Sequence, residues 1–368
     1  MNVRKTVKDL LIFLLSILLT IRIWRAASQL SQTSEIKPAN NKSEILEAME
    51  SWQKALCANQ REQFLLDDRL QSLPLMHREV TPTVHLKNIF IVESACNPQP
   101  LYRTWCSVES WAGQHPDKDL WYILISPFIS DTTGIMKSLL DQYPNIRVVS
   151  SKFRETFRKT PLWDLFNSDK WLQNTAWPES NLSNMVRGAL VWKWGGVYTD
   201  SDTICIRSTT KFTNAVGLYK DNGVNGAVLI GQPRHQAFWM LMEYLKENFK
   251  GNVWGHNGPE AITRVMKKLC KGASFSKIAS NEEGCQNMSL LTARHFYPVP
   301  FQQHKTFMLE REETDLEKLF KDSYVLHFWN KLTKKDPITV GSKSILETAA
   351  KKFCPVTYRV ATMHSHFF

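Results

Sequence analysis

Residues 186–207 read VRGALVWKWGGVYTDSDTICIR, and their reading decides the fold. Apolar Ala189, Leu190, Val191 and Trp194 fall at helical spacing among good helix formers, so a helix is expected up to Trp194. Gly195-Gly196 stops it, because paired glycines supply the positive φ of a helix C-cap and let the chain reverse. Val197, Tyr198 and Thr199 are β-formers, which makes a buried strand the next element. If the extended geometry continues, Asp200 and Asp202 project to one side with Ser201 on the other, so two carboxylates converge at the carboxyl end of a strand.

Strand carboxyl ends are where open α/β sheets bind ligands, and paired hard oxygen ligands suit a divalent cation that holds a diphosphate. A nucleotide-sugar donor fits, the metal acting as a Lewis acid on the leaving diphosphate. An isolated Asp-x-Asp is also read as a solvated strand end or an Asx turn. The helix, the double glycine and the apolar strand before it favour the functional reading.

The helix followed by WKWGGVY and DSD resembles the α1,4-glycosyltransferases of glycosyltransferase family 32, whose pattern is Ser-Asp-x-x-Arg, an apolar helix, WK-aromatic-GG-[IV]-Y and Asp-x-Asp. CSVESW from Cys106, WGHNGPEAITRVMKKLC from Trp254 and LHFWNK from Leu326 are similar to the same family in the same order, so the resemblance runs from about residue 88 to 358. It implies a GT-A-like α/β domain, a Rossmann-like nucleotide-sugar-binding half fused to an acceptor-binding half. It implies a retaining transfer of galactose, N-acetylglucosamine or N-acetylgalactosamine from a UDP-sugar to the 4-hydroxyl of an acceptor glycan, with Mn²⁺ as cofactor. One position departs from the pattern: Asn184 stands where the family has Asp. Asn184 and Arg187 are three apart on the expected helix, hence on one face. The departure is what supports the alternative, a non-catalytic or weakened lumenal protein of the same fold that binds glycan or nucleotide.

The resemblance also distributes roles. Asp202 is the expected direct metal ligand, Asp200 serves metal and ribose, Arg187 the donor sugar or diphosphate, and Asn184 joins them as a catalytic candidate. Glu93 and Ser94, which end the apolar run NIFIV at residues 88–92, are expected at the uridine, with strand-end polarity as the competing reading. Tyr198, Ser201 and the Asn225-Gly226 pair are further donor candidates, the latter equally read as a turn. Trp254, His256 and Asn257 are acceptor-side candidates or parts of a rigid loop. His327 completes the metal or diphosphate site, or is a satisfied core histidine. No carboxylate is placed by sequence as a nucleophile, and a front-face displacement needs none.

Alternating strands (88–92, 120–125, 146–149) and helices predict a parallel sheet. With 368 residues and 43% hydrophobic content the chain can bury a large core. Its net charge of +11 comes without a Lys/Arg block or nucleic-acid motif, so nucleic acid is not an expected partner. Arg4, Lys5 and Lys8 precede an apolar run at 10–21. Read over 7–24 the run is near the lower limit of roughly 17 residues for a spanning helix. A cytoplasmic tail at 1–6, a signal anchor at 7–25, a polar stem at 26–83 and a lumenal domain at 84–368 are expected, a single-pass type II topology, and the resemblance implies that the membrane is that of the Golgi. The other reading is a signal peptide cut near Ala26-Ala27. In the stem, Ile45, Leu46, Met49, Trp52 and Leu56 are spaced as a helix that packs on the body or a partner, or as a partly ordered spacer. Expected partners are the acceptor glycan on glycolipid or glycoprotein and the membrane, and a homo-oligomer is allowed. Seven cysteines lack zinc-type spacing and predict disulfides, Cys270 with Cys285 first and Cys57 with Cys106 next, leaving at least one thiol free or intermolecular. Asn41, Asn181 and Asn287 head glycosylation sequons.

Overall fold

The computed structural model describes residues 42–173, 175–281 and 283–365. The anchor expected at 7–25 lies outside them, and no helix of the described residues is long and apolar enough to cross a membrane.

Asn88–Glu93 (β3) lies inside a nine-stranded sheet and is buried along nearly its whole length. Phe90 and Val92 face one core, Ile89 and Ile91 the other, as the two-residue period of a strand requires. Asp119–Leu124 (β4) and Ile146–Ser151 (β6) extend the sheet in parallel on one side, and Gly196–Thr199 (β7) pairs in parallel on the other. Parallel neighbours need crossovers. The Tyr102–Gln114 helix supplies one, burying Trp105, Val108 and Trp111 on one face; the Pro178–Trp194 helix supplies another, burying Leu182, Met185, Val186, Ala189 and Leu190 on the opposite face. The latter begins earlier than its apolar run, with Pro178 in the first turn, where a missing N–H costs nothing.

The sheet is mixed rather than wholly parallel. Ala215–Lys220 (β9) and Gly223–Gly231 (β10) form a hairpin, β10 pairs antiparallel to β7, and Met288–Leu291 (β12) adds in parallel to β9 with Gly284–Cys285 (β11) antiparallel at the edge. The hairpin needs only a short turn where a parallel pair would need a crossover, which is why the strand–helix alternation stops after β7. Asn225-Gly226 sits inside β10 at a register shift, so the turn reading of that pair is corrected.

Residues 42–83, expected as stem, pack into the body. Leu46, Trp52 and Phe64 are buried in the core that lies under the Pro178–Trp194 helix, with Trp52 5.5 Å from Phe166 and Phe64 5.3 Å from Phe128. Leu75–Met76 (β2) is the edge strand beyond β6, and Leu70–Ser72 (β1) pairs with Phe128–Ser130 (β5). The Ile45–Leu56 stripe packs on the body, as one of its two readings has it, but as two short helices, Lys42–Glu47 and Ser51–Leu56, rather than one.

Three disulfides are present: Cys57–Cys96, Cys106–Cys354 and Cys270–Cys285. The short-range pair is as expected, whereas the Cys57–Cys106 pairing is corrected. Cys106 lies on a helix against the C-terminal Pro355–His364 helix and meets Cys354 across 248 residues, a partner that spacing cannot reveal. Cys205 is the buried free thiol. Of the sequons, Asn181 is buried and donates to Thr175 Oγ1 at 2.7 Å, while Asn287 is exposed on the β11–β12 turn.

Candidate active site

Gly195 and Gly196 (φ 75° and 107°) end the helix and start β7 in a space without room for side chains, since a Cβ on Gly196 would collide with the Asn88 carbonyl. This close approach sets β7 beside β3, so Asp200 follows directly on a strand fixed from both sides. The strand does not continue through the acidic triplet as the alternation required. Residues 201–202 form a turn that Thr203 Oγ1 closes by donating to the Asp200 carbonyl at 3.0 Å, and Thr203–Cys205 (β8) follows. The carboxylates converge because of that turn, not because of strand pleating.

The third group comes from far along the chain. Val325–His327 (β13) pairs antiparallel with β8, with His327 opposite Thr203. Asp200, Asp202 and His327 thereby offer ligand atoms that lie within 4.8 Å of one another. His327 Nε2 is 3.1 Å from Asp202 Oδ1, and the Asn330 N–H donates to Asp202 Oδ2 at 2.8 Å. Trp329, with a left-handed backbone (φ 55°), makes the tight bend that turns this N–H inward.

Arg187 is buried behind Asp200 and pairs with its Oδ1 at 3.1 Å. The guanidinium also donates to Ser183 Oγ at 2.9 Å and lies over the Tyr198 ring at 5.1 Å. Tyr198, itself buried, donates its hydroxyl to Asp200 Oδ1 at 2.7 Å, which makes it a support for the acidic pair. Gly226 lets the arginine pass, since a Cβ there would stand 2.8 Å from Arg187 Nη1. Burial raises Asp200, an effect the Asp202 charge adds to and the Arg187 charge opposes. For Asp202 burial acts upward too, but the His327 ring and the Asn330 N–H outweigh it and hold the carboxyl low. The environments of the two carboxylates are thus pushed apart.

The donor set is two carboxylates and one imidazole, which suits a divalent ion. Among the described residues His327 Nδ1 and Asn330 Oδ1, both buried, have no hydrogen-bond partner, which leaves capacity unspent beside the cluster, and the residues therefore fit a metal.

Glu93 ends β3 and Ser94 follows it, both half-buried, and Glu93 Oε1 accepts the Ala95 N–H at 3.2 Å. Desolvation pushes the Glu93 carboxyl up to about 7. Asn184 is half-buried on the Pro178–Trp194 helix and faces the 256–260 turn, where a Cβ on Gly258 would sit 2.8 Å from its Oδ1. It therefore shares a helix with Arg187 but points to a different neighbour. Ser201 is half-buried at the tip of the acidic turn, and Asn225 is buried, its Oδ1 accepting the Ala227 N–H at 2.8 Å.

On the 254–260 loop the three candidates divide. His256 is buried, bonded to the Asn248 carbonyl at 2.8 Å and Glu260 at 3.1 Å, and Asn257 is buried, bridging Lys250 and Asn181. Their polar atoms brace the loop. Trp254 is 55% exposed, edge-on to Trp177 at 5.2 Å, with the Lys331 ammonium 5.2 Å from its ring.

Sequence reasoning missed Ser183 and Tyr297. Tyr297 is buried 5.6 Å from the His327 ring, and its hydroxyl donates to the Asn225 carbonyl at 3.3 Å and accepts the Val228 N–H. ARHFYPVP offers no motif by which to find it. Ser183 stands one position before Asn184 in the family pattern and could have been read from it.

Residues 102–220 match the family model described as the glycosyltransferase sugar-binding region containing the DXD motif, and residues 230–361 the one described as the alpha 1,4-glycosyltransferase conserved region. Lactosylceramide 4-alpha-galactosyltransferase of Rattus norvegicus is 31% identical over 283 residues, 75% of this chain and 76% of that protein. Alpha-1,4-N-acetylglucosaminyltransferase of Homo sapiens is 28% identical over 284 residues, 75% of this chain and 81% of that one. The two matched regions span the acidic pair and the histidine that joins it, and with a relative of that identity over three quarters of both lengths the chain belongs to the α1,4-glycosyltransferases.

Proposed function

We propose that the protein transfers galactose, N-acetylglucosamine or N-acetylgalactosamine from a UDP-sugar to the 4-hydroxyl of a glycan on glycolipid or glycoprotein, with retention, on a GT-A-like scaffold. The observation that carries this reading is the meeting of Asp200, Asp202 and His327 within 4.8 Å beside a buried arginine. These three residues would hold Mn²⁺, which when bound supplies Lewis-acid stabilisation of the leaving diphosphate. Tyr198 and Ser183 fix Asp200 and Arg187 in place, so their charges need no reorganisation as the donor bond breaks. Arg187 faces the donor sugar or diphosphate. Glu93, its carboxyl pushed up to about 7, keeps a protonated fraction at neutrality that can bring an O–H donor to the uracil edge, with Ser94 beside it. Asn184 and Ser201 contribute uncharged hydrogen-bonding groups toward the sugar, and Asn225-Gly226 borders it. Trp254 is the acceptor platform, an exposed aromatic face on which sugar C–H groups stack, while His256 and Asn257 hold its loop.

The reading extends to location. The apolar run at 10–21 behind three basic residues supports a type II Golgi anchor, and three disulfides fit an oxidising lumen. The acceptor side would then face lumenal glycans, as a monomer or a homo-oligomer.

Asp202→Ala tests the core of this reading. Titration of UDP in Mn²⁺ should give metal-dependent binding for the wild type and none for the variant, since one lost carboxylate at a diphosphate site is not replaced by water at equal strength. Equal affinity for the two proteins would remove the metal assignment.

A further inference from the structure

A second charged site lies away from the acidic pair, where the Pro178–Trp194 helix ends and β7 begins. Arg158, Lys159, Trp192, Lys193 and Arg234 line a cleft of about 430 Å³. Four of the five are cations and the fifth is the Trp192 ring; Glu155, outside the lining, stands 3.7 Å from Arg158. Burial presses the Lys193 ammonium below its ordinary pKa, and the charges of Arg234, Arg158 and Lys159 act in the same direction, so the cations of the cleft repel one another and an anion between them would relieve it. Surface charges usually relieve such repulsion by moving apart, but here several are held. The Arg234 guanidinium stacks 3.8 Å from the Trp192 ring centroid, its backbone N–H donates to the Trp192 carbonyl at 2.7 Å, and Trp192 in turn packs 5.0 Å from Trp239. The Lys193 ammonium donates to the Glu155 carbonyl and lies 5.0 Å from the Trp194 ring.

The backbone points the same way. Lys159 and Arg234 both adopt φ 64°, a left-handed conformation that a Cβ disfavours, and such strain collects at ligand clamps. Neither position is a glycine, so the side chain is kept at the cost of the backbone. Planar guanidiniums with neighbouring ammoniums form the donor array that recognises tetrahedral oxyanions, the arginines through two parallel N–H bonds.

We propose that this cleft binds an oxyanion of the phosphate class, independently of the donor diphosphate. The shared chemistry is a phosphomonoester, free in solution or carried on a lipid headgroup. The test uses the full chain in detergent with EDTA present, so that phosphate on the acidic pair's metal cannot contribute. Inorganic phosphate is measured by equilibrium dialysis and short-chain phosphatidic acid by fluorescence titration, for the wild type and for Arg158→Gln/Arg234→Gln. The wild type should saturate with at least one probe and the double variant should bind it about tenfold more weakly. Phosphate binding marks a free anion as the ligand, and binding of phosphatidic acid alone marks a headgroup. Metal-dependent UDP binding, measured separately, should be the same in both proteins and certifies the fold; if the double variant fails that control, Lys159→Met replaces it. Saturation by neither probe, or equal binding by wild type and variant, overturns the proposal.

Discussion

Two residues in the donor half make distinct predictions. Asn184 replaces the acid of the family pattern, and no hydrogen bond to its amide occurs among the described residues. A charge-assisted bond is worth roughly 1.5 to 3 kcal/mol, so Asn184→Asp should raise transfer by about ten- to a hundredfold, read as UDP release in Mn²⁺. An unchanged rate would mean that the amide already serves. Glu93 is the second. Its folded pKa, about 7, lies above the ordinary 4.5 because burial disfavours the charge. A carboxyl raised in this way costs nothing below pH 4.5, costs progressively more stability as pH rises toward 7, and holds that cost above. Glu93→Gln should therefore leave the melting temperature unchanged at pH 4 and raise it at pH 8, checked by calorimetry at both.

At the scale of elements, the site depends on a ribbon and a bend brought from the end of the chain. β13 carries His327 to β8, and the Asn330–Thr333 turn after it supplies the N–H that holds Asp202. Arg103, buried on the Tyr102–Gln114 helix, donates to the carbonyls of Thr333 and Asp336 and so ties this turn to the body. Arg103→Met keeps the bulk of the stem but orphans two carbonyls, at a cost of about 2 to 4 kcal/mol. UDP affinity in Mn²⁺ should fall with it while the fold persists, and an affinity equal to wild type would show that the turn holds itself. The elements before the first long strand matter in another way. β2 completes the sheet edge and Cys57–Cys96 fastens the preceding helices to the loop after β3.

For the whole molecule, residues 42–83 pack into the same core as the chain that follows 84. Two N-terminal truncations test what this segment contributes. A chain starting at 84 lacks Leu46, Trp52 and Phe64, each fully or nearly fully buried, and loss of a buried aromatic alone costs about 3 to 5 kcal/mol. It should be insoluble or lack a cooperative melt, whereas a chain starting at 42 should melt cooperatively. A well-folded chain from 84 would restore the stem to its expected length.

What the sequence determined by itself was local: the helix stop at Gly195-Gly196, the buried runs of β3, β4 and β6, the acidic triplet at the carboxyl end of β7, and the short-range Cys270–Cys285 pair. Each depends on neighbours a few residues apart, through backbone freedom, side-chain period or a small loop closure, and the similarity of spaced motifs added the chemistry. Tertiary structure decided the rest. Asp200 and Asp202 meet through a turn rather than a pleat, and His327 reaches them only because β13 pairs with β8 across more than a hundred residues. Cys106 finds Cys354, Arg187 passes Gly226, and His256 and Asn257 turn inward while Trp254 turns out. Residue types permit all of these contacts and specify none. Long-range pairing is selected by the burial of whole faces, and that is a property of the packed chain rather than of any one segment.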